Sequence, residues 1–417
     1  MTPRAAFATA PAPDDIVPAE RERRLPGPRV LLVGGPDVDA RLDLMRELRD
    51  VVHIGAVGSA PDLGSRFRAE GFDYWRYPLS RRVAPARDLV ALHRLTRVFR
   101  EVRPAIVHAF DTKPGIWGVL AARATSVPVV VATVTGLGSL FGSDAVGVRV
   151  VRGVYCALQR FACRLSDCTV FQNSDDLLEF VARRLVSRRK AYVIPGSGVP
   201  TRVFDPGLIP ERERRRTRTE LGVAHGDVMV TMVSRVIRSK GVLEFMEVAR
   251  HLTAGDTRTR FVLIGAADDD SLDRLAAKEQ AELRHALIWP GPRRDVRSVL
   301  AATDVFVLPS SLREGVPRAL LEAASMALPI VTTCTPGCDE VVRDDVNGYL
   351  VPAHDIGGFC AAIRRLVADP DRRRRFGAAS RRRAVERFDV TTIASQTWAL
   401  YRSLLDARRA AAPGGTA

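Results

Sequence analysis

The sequence predicts an α/β protein with two doubly wound parallel sheets. Short runs of β-branched residues recur along the chain, and most are apolar over their whole length, as in parallel strands that are buried on both faces. Amphipathic helical patterns alternate with these runs, which is typical of βαβ units. The alternation stops at a polar stretch after residue 205 and then starts again, so we expect two sheets of similar length.

The first half of the chain contains a series of such runs. They begin at Arg29 (RVLLVGG), Val51 (VVHIGAV), Ala105 (AIVHAF), Val127 (VPVVVATV), Cys168 (CTVFQN) and Ala191 (AYVIPG). Helical patterns over residues 84–101 and 145–165 lie between them. Residues 1–28 are rich in Pro, Ala and charge and lack the apolar core of a signal peptide, so we expect a disordered arm there. The first domain is therefore predicted at residues 29–205.

The second half repeats the architecture without repeating the sequence. Its runs begin at Val228 (VMVTMVSR), Phe261 (FVLIGA), Ala286 (ALIWPG), Val305 (VFVLPS) and Pro329 (PIVTTC). We predict a linker at 206–226, a second domain at 227–388, a C-terminal helix at 389–409 that can cross back to the first domain, and a flexible tail at 410–417. Two such sheets leave a cleft, and ligands bind at the carboxyl ends of their strands.

The charge of the chain favours phosphate-bearing partners. The formal net charge is +15, from 63 Lys and Arg residues against 48 Asp and Glu residues. Such a balance attracts nucleic acid, anionic lipid or a phosphorylated small substrate. A general arginine bias is the alternative, because only four lysines are present. No nucleic-acid-binding motif is found, so no nucleic-acid partner is expected.

The cysteines and the apolar segments indicate the cellular compartment in which the protein is expected. Six cysteines without a CxxC pair indicate free thiols in a reducing compartment, and no zinc site is expected. The longest uncharged run, at 124–143, contains Pro128, Gly136 and Gly138 and is interpreted as a strand and a glycine loop. We therefore expect a cytoplasmic protein, whose membrane attachment, where it exists, is peripheral on the inner face of the cell membrane.

The segment REGVPRALLEAASMALPIVTT, which begins at Arg313, is the most informative. Pro317 suits the first turn of a helix that starts here. Glu314 precedes this helix and Glu322 follows eight residues later, about 80° around the axis and about 12 Å along it in helical geometry. The two carboxylates can then face one cleft, near a helix N-terminus that suits an anionic ligand. The alternative is an ordinary amphipathic helix with two exposed glutamates.

A second element, SRVIRSKG at 234–241, follows the first strand of the second domain. Arg235 and Lys240 come at the end of this strand, and Gly241 opens the next helix. Two fixed cations in this position can neutralise a diphosphate leaving group without a metal ion. A solvated basic loop is the alternative.

These motifs carry a family resemblance. SRVIRSKG, FVLIGA, VFVLPSSLREGVPRALLEAASMALPIVTTCTPGCDEVV and NGYLVP resemble the nucleotide-sugar domain of the retaining GT-B glycosyltransferases of family 4. The first half, with VHAFDTKPGIWG, TVTGLGS, FQNSDD and VIPGSGV, is similar to the members that build lipid-linked polysaccharide and O-antigen intermediates. The resemblance spans residues 29–405 and is strongest at 234–352.

The resemblance implies a role for each matching charged residue. Arg235 and Lys240 are expected to hold the donor diphosphate and to stabilise the departing nucleotide. Glu314 is expected to contact the donor sugar, and Glu322 to bind the ribose hydroxyls. On this basis Glu314, Arg235 and Lys240 form the predicted catalytic set.

The resemblance also implies roles for backbone groups. The N–H groups of Gly315 and Val316 are expected close to the donor sugar or phosphates. Thr135, Gly136 and Gly138 are expected to line the acceptor side of the cleft, because glycines allow a close approach of the backbone.

One departure from the family concerns a histidine. Many members have a His in a TVHG-like motif, whereas Thr135 occupies that position here. A hydroxyl can bond a sugar or phosphate oxygen, but it cannot carry a proton as an imidazole does. His108, at the end of AIVHAF, is the nearest alternative for an acceptor role; a local hydrogen-bonding role is the competing interpretation.

Two further motifs are interpreted as structural. Asp268-Asp269-Asp270 resembles the acidic motif with which other transferases hold a divalent ion, but we interpret it as a solvated acidic loop, and no metal site is predicted. The segment GGPDVDA at 34–40 lacks the GxGxxG spacing of a dinucleotide site. The family resemblance implies that this loop faces the acceptor.

The helix predicted at 145–165 has two faces. One side is basic, with Arg149, Arg152, Arg160 and Arg164. The other side is apolar, with Val151, Val154, Tyr155, Leu158, Phe161 and Leu165. A second basic cluster follows at Arg183, Arg184, Arg188, Arg189 and Lys190. Either these groups lie on an anionic membrane surface, or the apolar side packs on the sheet and the arginines are only solvated.

The sequence therefore predicts a retaining, metal-independent glycosyltransferase of the hexosyl- or acetamidohexosyl-transferring kind. Its donor is expected to be a nucleotide sugar, UDP-linked, as co-substrate with no cofactor. Its acceptor is expected to be a lipid-diphosphate-linked saccharide of cell-surface polysaccharide synthesis. The alternatives are a nucleotide-sugar epimerase of GT-B-like fold and a non-catalytic nucleotide-sugar-binding partner.

Overall fold

The computed structural model describes residues 27–80, 84–138, 141, 146–255 and 258–411. The predicted N-terminal arm thus lies outside the described residues up to residue 26, and the predicted tail from residue 412. The chain divides into two compact units, Met1–Val130 and Val131–Ala417. The domain limits predicted around residues 205 and 227 stay a prediction.

The first unit is built on parallel strands with helices between them. The strands are β1 (Arg29–Val33), β2 (His53–Gly58), β3 (Asp73–Arg76) and β4 (Ile106–Phe110). They pair in the order β3-β2-β1-β4. The helices are α1 (Leu42–Leu48), α2 (Leu63–Ala69), α3 (Pro85–Val102) and α4 (Thr112–Ala124). β3 was not predicted, because its four residues are at most half-buried and do not form an apolar run.

The second unit begins with the remaining strands and helices of the first half. Strand β5 (Val129–Val134) runs across the division between the units. It is followed by the short strand β6 (Gly136–Gly138) and by α5 (Val146–Leu165), β7 (Cys168–Phe171), α6 (Ser174–Ala182) and β8 (Ala191–Val193). β7 pairs with β5 and with β8 in parallel register.

A six-stranded parallel sheet forms the rest of the second unit. Its strands are β9 (Val228–Val233), β10 (Thr259–Ile264), β11 (Ile288–Gly291), β12 (Val305–Leu308), β14 (Ile330–Thr333) and β15 (Gly348–Val351), in the order β11-β10-β9-β12-β14-β15. The order reverses direction between β9 and β12, which is the switch point at which doubly wound sheets bind ligands. A two-residue strand, β13 (Arg313–Glu314), follows β12 and stands apart from this sheet.

Helices cover this sheet and bury its apolar strands. They are α7 (Glu211–Glu220), α8 (Val242–Thr253), α9 (Ala277–Ala286), α10 (Arg297–Ala302), α11 (Arg318–Ser325), α12 (Cys338–Val341), α13 (Ile356–Ala368) and α14 (Pro370–Arg383). The core joins β9, β10 and β12 to α8, α11 and α13 through buried side chains such as Phe245, Phe306 and Phe359. Such continuous apolar strands require cover on both faces, which explains the runs seen in the sequence.

The segment at 206–226, predicted to be a linker, is not irregular. It contains α7, whose Arg218 donates to the Asp304 carboxylate and to the carbonyl of Ala302. Leu221 and Val223 directly after α7 are buried. The helix was missed because eight of its ten residues are charged, so that it shows no apolar stripe.

The C-terminal helix α15 spans Val390–Ala410. Its Arg408 forms an ion pair with Asp167, with 2.7 Å between Nη2 and Oδ1. Tyr401 on the same helix is fully buried. The helix therefore contacts the segment just before β7, in the first half of the chain.

Candidate active site

The segment between β12 and α11 holds the predicted glutamates in different kinds of structure. Glu314 lies in the extended strand β13, whereas Glu322 lies in α11. Pro317 has a ψ of 121° and precedes the helix, so α11 begins at Arg318 rather than at the proline as predicted. The helical relation expected between the two glutamates is therefore wrong, because Glu314 is not in helical geometry.

Lys240 and Glu314 are brought together by the fold. The Lys240 Nζ lies 2.5 Å from the Glu314 Oε2, and the hydroxyl of Ser310 donates to the other carboxylate oxygen at 2.8 Å. Both charged side chains are largely buried, with 14% and 18% of their surfaces exposed. A charge pair with little solvent around it interacts more strongly than one in bulk water.

A glycine makes this contact possible. Lys240 ends a 3-10 turn directly before α8, and Gly241 follows with a φ of 80°. A Cβ on Gly241 would lie 2.0 Å from the carbonyl oxygen of Pro309, at the end of β12. The turn after β9 can therefore touch the end of β12 only with glycine at this position.

Arg235, the other predicted cation, has a different partner. Its Nη1 lies 2.8 Å from the Asp268 Oδ2, and 56% of the Arg235 side chain is exposed. The loops after β9 and β10 meet here, since a Cβ on Gly265 would lie 1.8 Å from the carbonyl oxygen of Ser234. The acidic motif at 268–270 thus contributes Asp268 to an ion pair, and Asp269 accepts from Gln280 at 3.3 Å. No group of three or more metal-ligating side chains occurs among the residues that the structure describes.

Glu322 is also paired. Its Oε1 accepts from the Arg318 Nε at 2.8 Å, one helical turn earlier, and 12% of the Glu322 side chain is exposed. The pair lies in the first two turns of α11, a helix whose N-cap residue makes no side-chain hydrogen bond. Of the four predicted charged residues, the structure thus joins Lys240 directly to Glu314, and it gives Arg235 and Glu322 other partners.

The glycine loop after β5 lies against the Glu314 segment. Strands β6 and β13 form a two-stranded antiparallel sheet that pairs Gly136 with Glu314 and Gly138 with Arg313. Gly136 has a φ of 125°, and a Cβ there would lie 2.6 Å from the Gly315 nitrogen. At Gly136 the backbone is therefore approached by other protein backbone, whereas no atom lies within 4 Å of a Cβ placed on Gly138.

The backbone N–H groups that were expected to face the sugar substrate already form hydrogen bonds within the protein. The N–H of Gly315 donates to the Thr135 carbonyl at 2.8 Å, and the N–H of Val316 donates to the Gln172 Oε1 at 3.2 Å. The nucleotide sugar could contact both N–H groups only if these two hydrogen bonds were broken. The roles predicted for Gly315 and Val316 stay predictions, as does that of Thr135.

Sequence analysis missed a buried polar cluster that holds the Glu314 segment. Asn173, fully buried, donates through Nδ2 to the carbonyls of Glu314 (3.1 Å) and Gly315 (3.0 Å). Its Oδ1 accepts from the N–H of Asp176 at 2.8 Å and so caps helix α6. The signal was the polar run FQNSDD directly after β7, at the carboxyl end of a strand.

A buried ion pair completes this cluster. The Arg313 Nη2 lies 3.1 Å from the Asp176 Oδ1, and the Asp176 side chain has no exposed surface. Burial raises the pKa of Asp176 to about 6, although the guanidinium of Arg313 and the amide of Asn173 act in the opposite direction. The strand that carries Glu314 is thereby tied to helix α6.

His108 belongs to the first unit, in β4. Its ring is buried and lies 4.1 Å from that of Phe110, centroid to centroid. Burial, together with the positive charge of Arg41, lowers the pKa of His108 to about 3. The imidazole is therefore neutral at physiological pH, and its acceptor role stays a prediction.

Two protein-family models match the chain. The model of the glycosyl transferases group 1 matches residues 213–383, and that of the glycosyl transferase 4-like domain matches residues 9–196. Together they cover both halves of the sequence.

Characterised relatives agree with these matches. A UDP-Gal:alpha-D-GlcNAc-diphosphoundecaprenol alpha-1,3-galactosyltransferase from Escherichia coli is 30% identical over 293 residues, which are 70% of this chain and 73% of the relative. An N,N'-diacetylbacillosaminyl-diphospho-undecaprenol alpha-1,3-N-acetylgalactosaminyltransferase from Campylobacter jejuni is 26% identical over 311 residues, 74% of this chain and 79% of the relative.

The solved structures support the fold. HepE from Anabaena, in complex with UDP, superposes with a TM-score of 0.73 at 19% identity, over 90% of this chain and 100% of HepE. The predicted fold class, GT-B with two Rossmann-like parallel sheets, is confirmed, as is the predicted family resemblance. The chain belongs to the family 4 glycosyltransferases and is a glycosyltransferase of GT-B fold.

Proposed function

We propose that the protein transfers a hexosyl or acetamidohexosyl group from a UDP-linked donor to a hydroxyl of a lipid-diphosphate-linked saccharide, with retention of configuration and without a metal ion or another cofactor. The observation that carries the proposal is the buried contact between Lys240 and Glu314 at the switch point of the six-stranded sheet. The donor and acceptor classes are supported by the names of the E. coli and C. jejuni relatives.

The proposed chemistry begins when one anion beside Lys240 is exchanged for another. A donor diphosphate that enters beside Lys240 replaces the Glu314 carboxylate as the partner of the ammonium group. The freed carboxylate, still held by the Ser310 hydroxyl, can then accept a hydrogen bond from the donor sugar. As the bond between sugar and diphosphate breaks, negative charge grows on the leaving phosphate, and Lys240 stabilises it. The acceptor oxygen bonds to the anomeric carbon on the face that the diphosphate leaves, and the proton of the acceptor hydroxyl passes to the leaving phosphate.

Arg235 and Glu322 complete the proposed donor site. Arg235 is more than half exposed, so its guanidinium can leave Asp268 and meet the diphosphate with a bidentate contact. Glu322 is oriented by Arg318 and is proposed to accept from the ribose hydroxyls. These two roles depend on the family resemblance together with the positions of the side chains on the loop after β9 and on α11.

The first test is a transfer assay with purified protein, UDP-sugars and a polyprenyl-diphosphate-linked saccharide. Lys240→Ala and Glu314→Gln should each lower kcat by about 100-fold or more, as expected when a preorganised charge is removed from the reacting centre. Lys278→Ala, an exposed lysine on α9, is the matched control and should turn over like the wild type. Wild-type turnover by both site variants would refute the proposed site.

The same assay tests the finer claims. Activity should persist in excess EDTA, and its loss there would contradict metal independence. The product should be α-linked when an α-linked donor is used, as retention requires. An epimerase would convert the donor without an acceptor, and a non-catalytic partner would bind the donor without turnover, so either result would replace the proposal.

We further propose that α5 places the protein on an anionic membrane surface. Several apolar side chains of this helix are exposed, among them Val146 (77%), Val150 (64%), Val154 (58%) and Phe161 (52%). The buried residues of the helix are Tyr155, Gln159, Ala162 and Cys163. Of the predicted apolar side, Tyr155 is thus buried whereas Val154 and Phe161 are exposed, which supports the membrane proposal over packing on the sheet. No helix in the described ranges is long and apolar enough to cross a bilayer.

The two basic clusters predicted from the sequence lie together beside this apolar surface. The Arg160 guanidinium donates to the carbonyls of Arg183 and Arg184 at 3.1 Å each. The Lys190 Nζ donates to the carbonyl of Arg164 at 2.9 Å. An exposed apolar face next to clustered cations is the pattern of a helix that lies in the membrane interface, where each cation adds about 1 kcal/mol on anionic lipid.

Vesicle sedimentation tests this membrane proposal. The protein should bind vesicles that contain phosphatidylglycerol more tightly than vesicles of phosphatidylcholine alone, and added salt should weaken the binding. Val154→Ser/Phe161→Ser should reduce binding, whereas Leu208→Ser, which changes an exposed leucine elsewhere (60%), should not. Equal binding of all three proteins would contradict the role of α5.

A further inference from the structure

A second group of arginines surrounds a cavity that the proposed donor site does not use. The cavity has a volume of about 310 Å³, and its walls include Arg343, Arg382, Arg383 and Arg387. Among the described residues that line it, Glu386 carries the one carboxylate. Because the Glu340 carboxylate pairs with Arg387, four guanidiniums face two carboxylates, which leaves an excess of two positive charges around a space of ligand size.

Three neighbouring segments supply these arginines. Arg343 lies in the turn between α12 and β15, and Arg382 and Arg383 end α14. A single π-helical turn, Ala384–Phe388, continues α14 and carries Arg387. Such wider turns within helices are frequent at functional sites, because they redirect side chains that a regular helix would spread around its axis.

Two of the guanidiniums are held in place. Arg383 donates through Nε to the Val341 carbonyl (3.0 Å) and through Nη2 to the Glu340 carbonyl (2.6 Å). Arg387 donates to the Glu340 carboxylate at 2.6 Å. Backbone carbonyls orient Arg383 but do not neutralise it, so its charge remains available to a ligand.

The charges in the cavity repel one another. Burial, together with the positive charges of Arg387 and Arg343, lowers the pKa of Arg383 to about 10, although the Glu340 carboxylate acts in the opposite direction. Arg343 and Arg382 are exposed, and neither side chain forms an ion pair with another residue in the described part of the chain. A bound anion would therefore meet two oriented guanidiniums and two that are free to close on it.

We propose that this cavity binds the phosphate or diphosphate group of a ligand, at a site separate from that of the sugar donor. Arginine forks match phosphate oxygens two at a time, and a phosphate group carries enough charge to compensate the excess. The ligand is either a soluble phosphate ester or the phosphate headgroup of a lipid, since both present the same chemistry.

The experiment starts from a background that lacks the donor-site cations. In full-length protein with Arg235→Ala/Lys240→Ala, calorimetric titration with inorganic pyrophosphate should still give binding. Adding Arg343→Gln/Arg382→Gln should weaken it by about 100-fold, or about tenfold for each lost charge-assisted contact. Arg374→Gln on the exposed side of α14 is the matched control and should leave the affinity unchanged. Thermal unfolding checks that every variant is folded.

A second arm identifies the source of the phosphate. The same proteins are sedimented with vesicles of phosphatidylcholine that contain phosphatidic acid. If Arg343→Gln/Arg382→Gln weakens the binding of pyrophosphate but not that of the vesicles, the ligand is soluble. If it weakens the binding of the vesicles but not that of pyrophosphate, the ligand is a lipid headgroup. Affinities for both probes that stay within about twofold of the background, or no binding of either probe to the background protein, overturn the proposal.

Discussion

Replacing Asn173 by alanine should damage stability and activity together. The substitution removes the acceptor that caps α6, which costs about 1 kcal/mol. It also removes the donor for the buried carbonyls of Glu314 and Gly315, and each carbonyl left without a partner costs about 1–3 kcal/mol. The expected loss in the free energy of unfolding is therefore about 3–7 kcal/mol, and the strand that carries Glu314 loses an anchor.

Two further variants separate the contributions. Asn173→Ser retains an oxygen that can cap α6 but is too short to reach the two carbonyls, so it should be about 1 kcal/mol more stable than Asn173→Ala, with the same loss of turnover. Asp355→Ala removes the cap of α13, where the Asp355 Oδ1 accepts from the Gly358 N–H at 2.8 Å. It should cost only about 1 kcal/mol and leave turnover unchanged.

Urea unfolding and the glycosyl-transfer assay measure both quantities. An Asn173→Ala variant that is no less stable than Asp355→Ala and turns over like the wild type would contradict the anchoring role of Asn173. That result would mean that the Glu314 segment keeps its position without the contact from α6.

Three further predictions concern titration and backbone space. His108→Gln should remove a pH dependence of the free energy of unfolding. The pKa of His108 is about 3 when folded and about 6.5 when unfolded, so protonation favours the unfolded state. The wild type should therefore lose about 2 kcal/mol of stability relative to the variant as pH falls from 7 to 5. Asp176→Asn should act in the opposite sense, because the pKa of Asp176 is about 6 when folded and about 3.8 when unfolded. The wild type should lose about 2 kcal/mol relative to this variant as pH rises from 4 to 7. Gly136→Ala should destabilise by about 2 kcal/mol or more, since its φ is 125° and its Cβ would lie 2.6 Å from the Gly315 nitrogen, whereas Gly147→Ala in α5, with no atom within 4 Å of the added Cβ, should be neutral or stabilising. Urea unfolding at a series of pH values tests the first two, and parallel wild-type and variant curves would contradict them; equal midpoints for the two alanine variants would contradict the third.

The sequence by itself determined the sheets and the ends of their strands. Apolar runs of four to six residues identify β1, β9 and β12 with small errors at their ends. A strand that is buried on both faces is apolar at consecutive positions, so it can be recognised from its own residues. The sequence also placed Lys240 and Glu314 in the loops that follow two strands of the second domain, whereas the structure shows that these two strands are neighbours.

Only the tertiary structure decided which groups meet there. The contact between Lys240 and Glu314 joins residues 74 positions apart, and the bonds from Asn173 to the Glu314 segment join residues 141 and 142 positions apart. Local periodicity contains no information on such pairs, because they depend on how the loops cross after the strands are in place. For the same reason the apolar side of α5 was visible in the sequence, but its exposure depended on which face the fold covers.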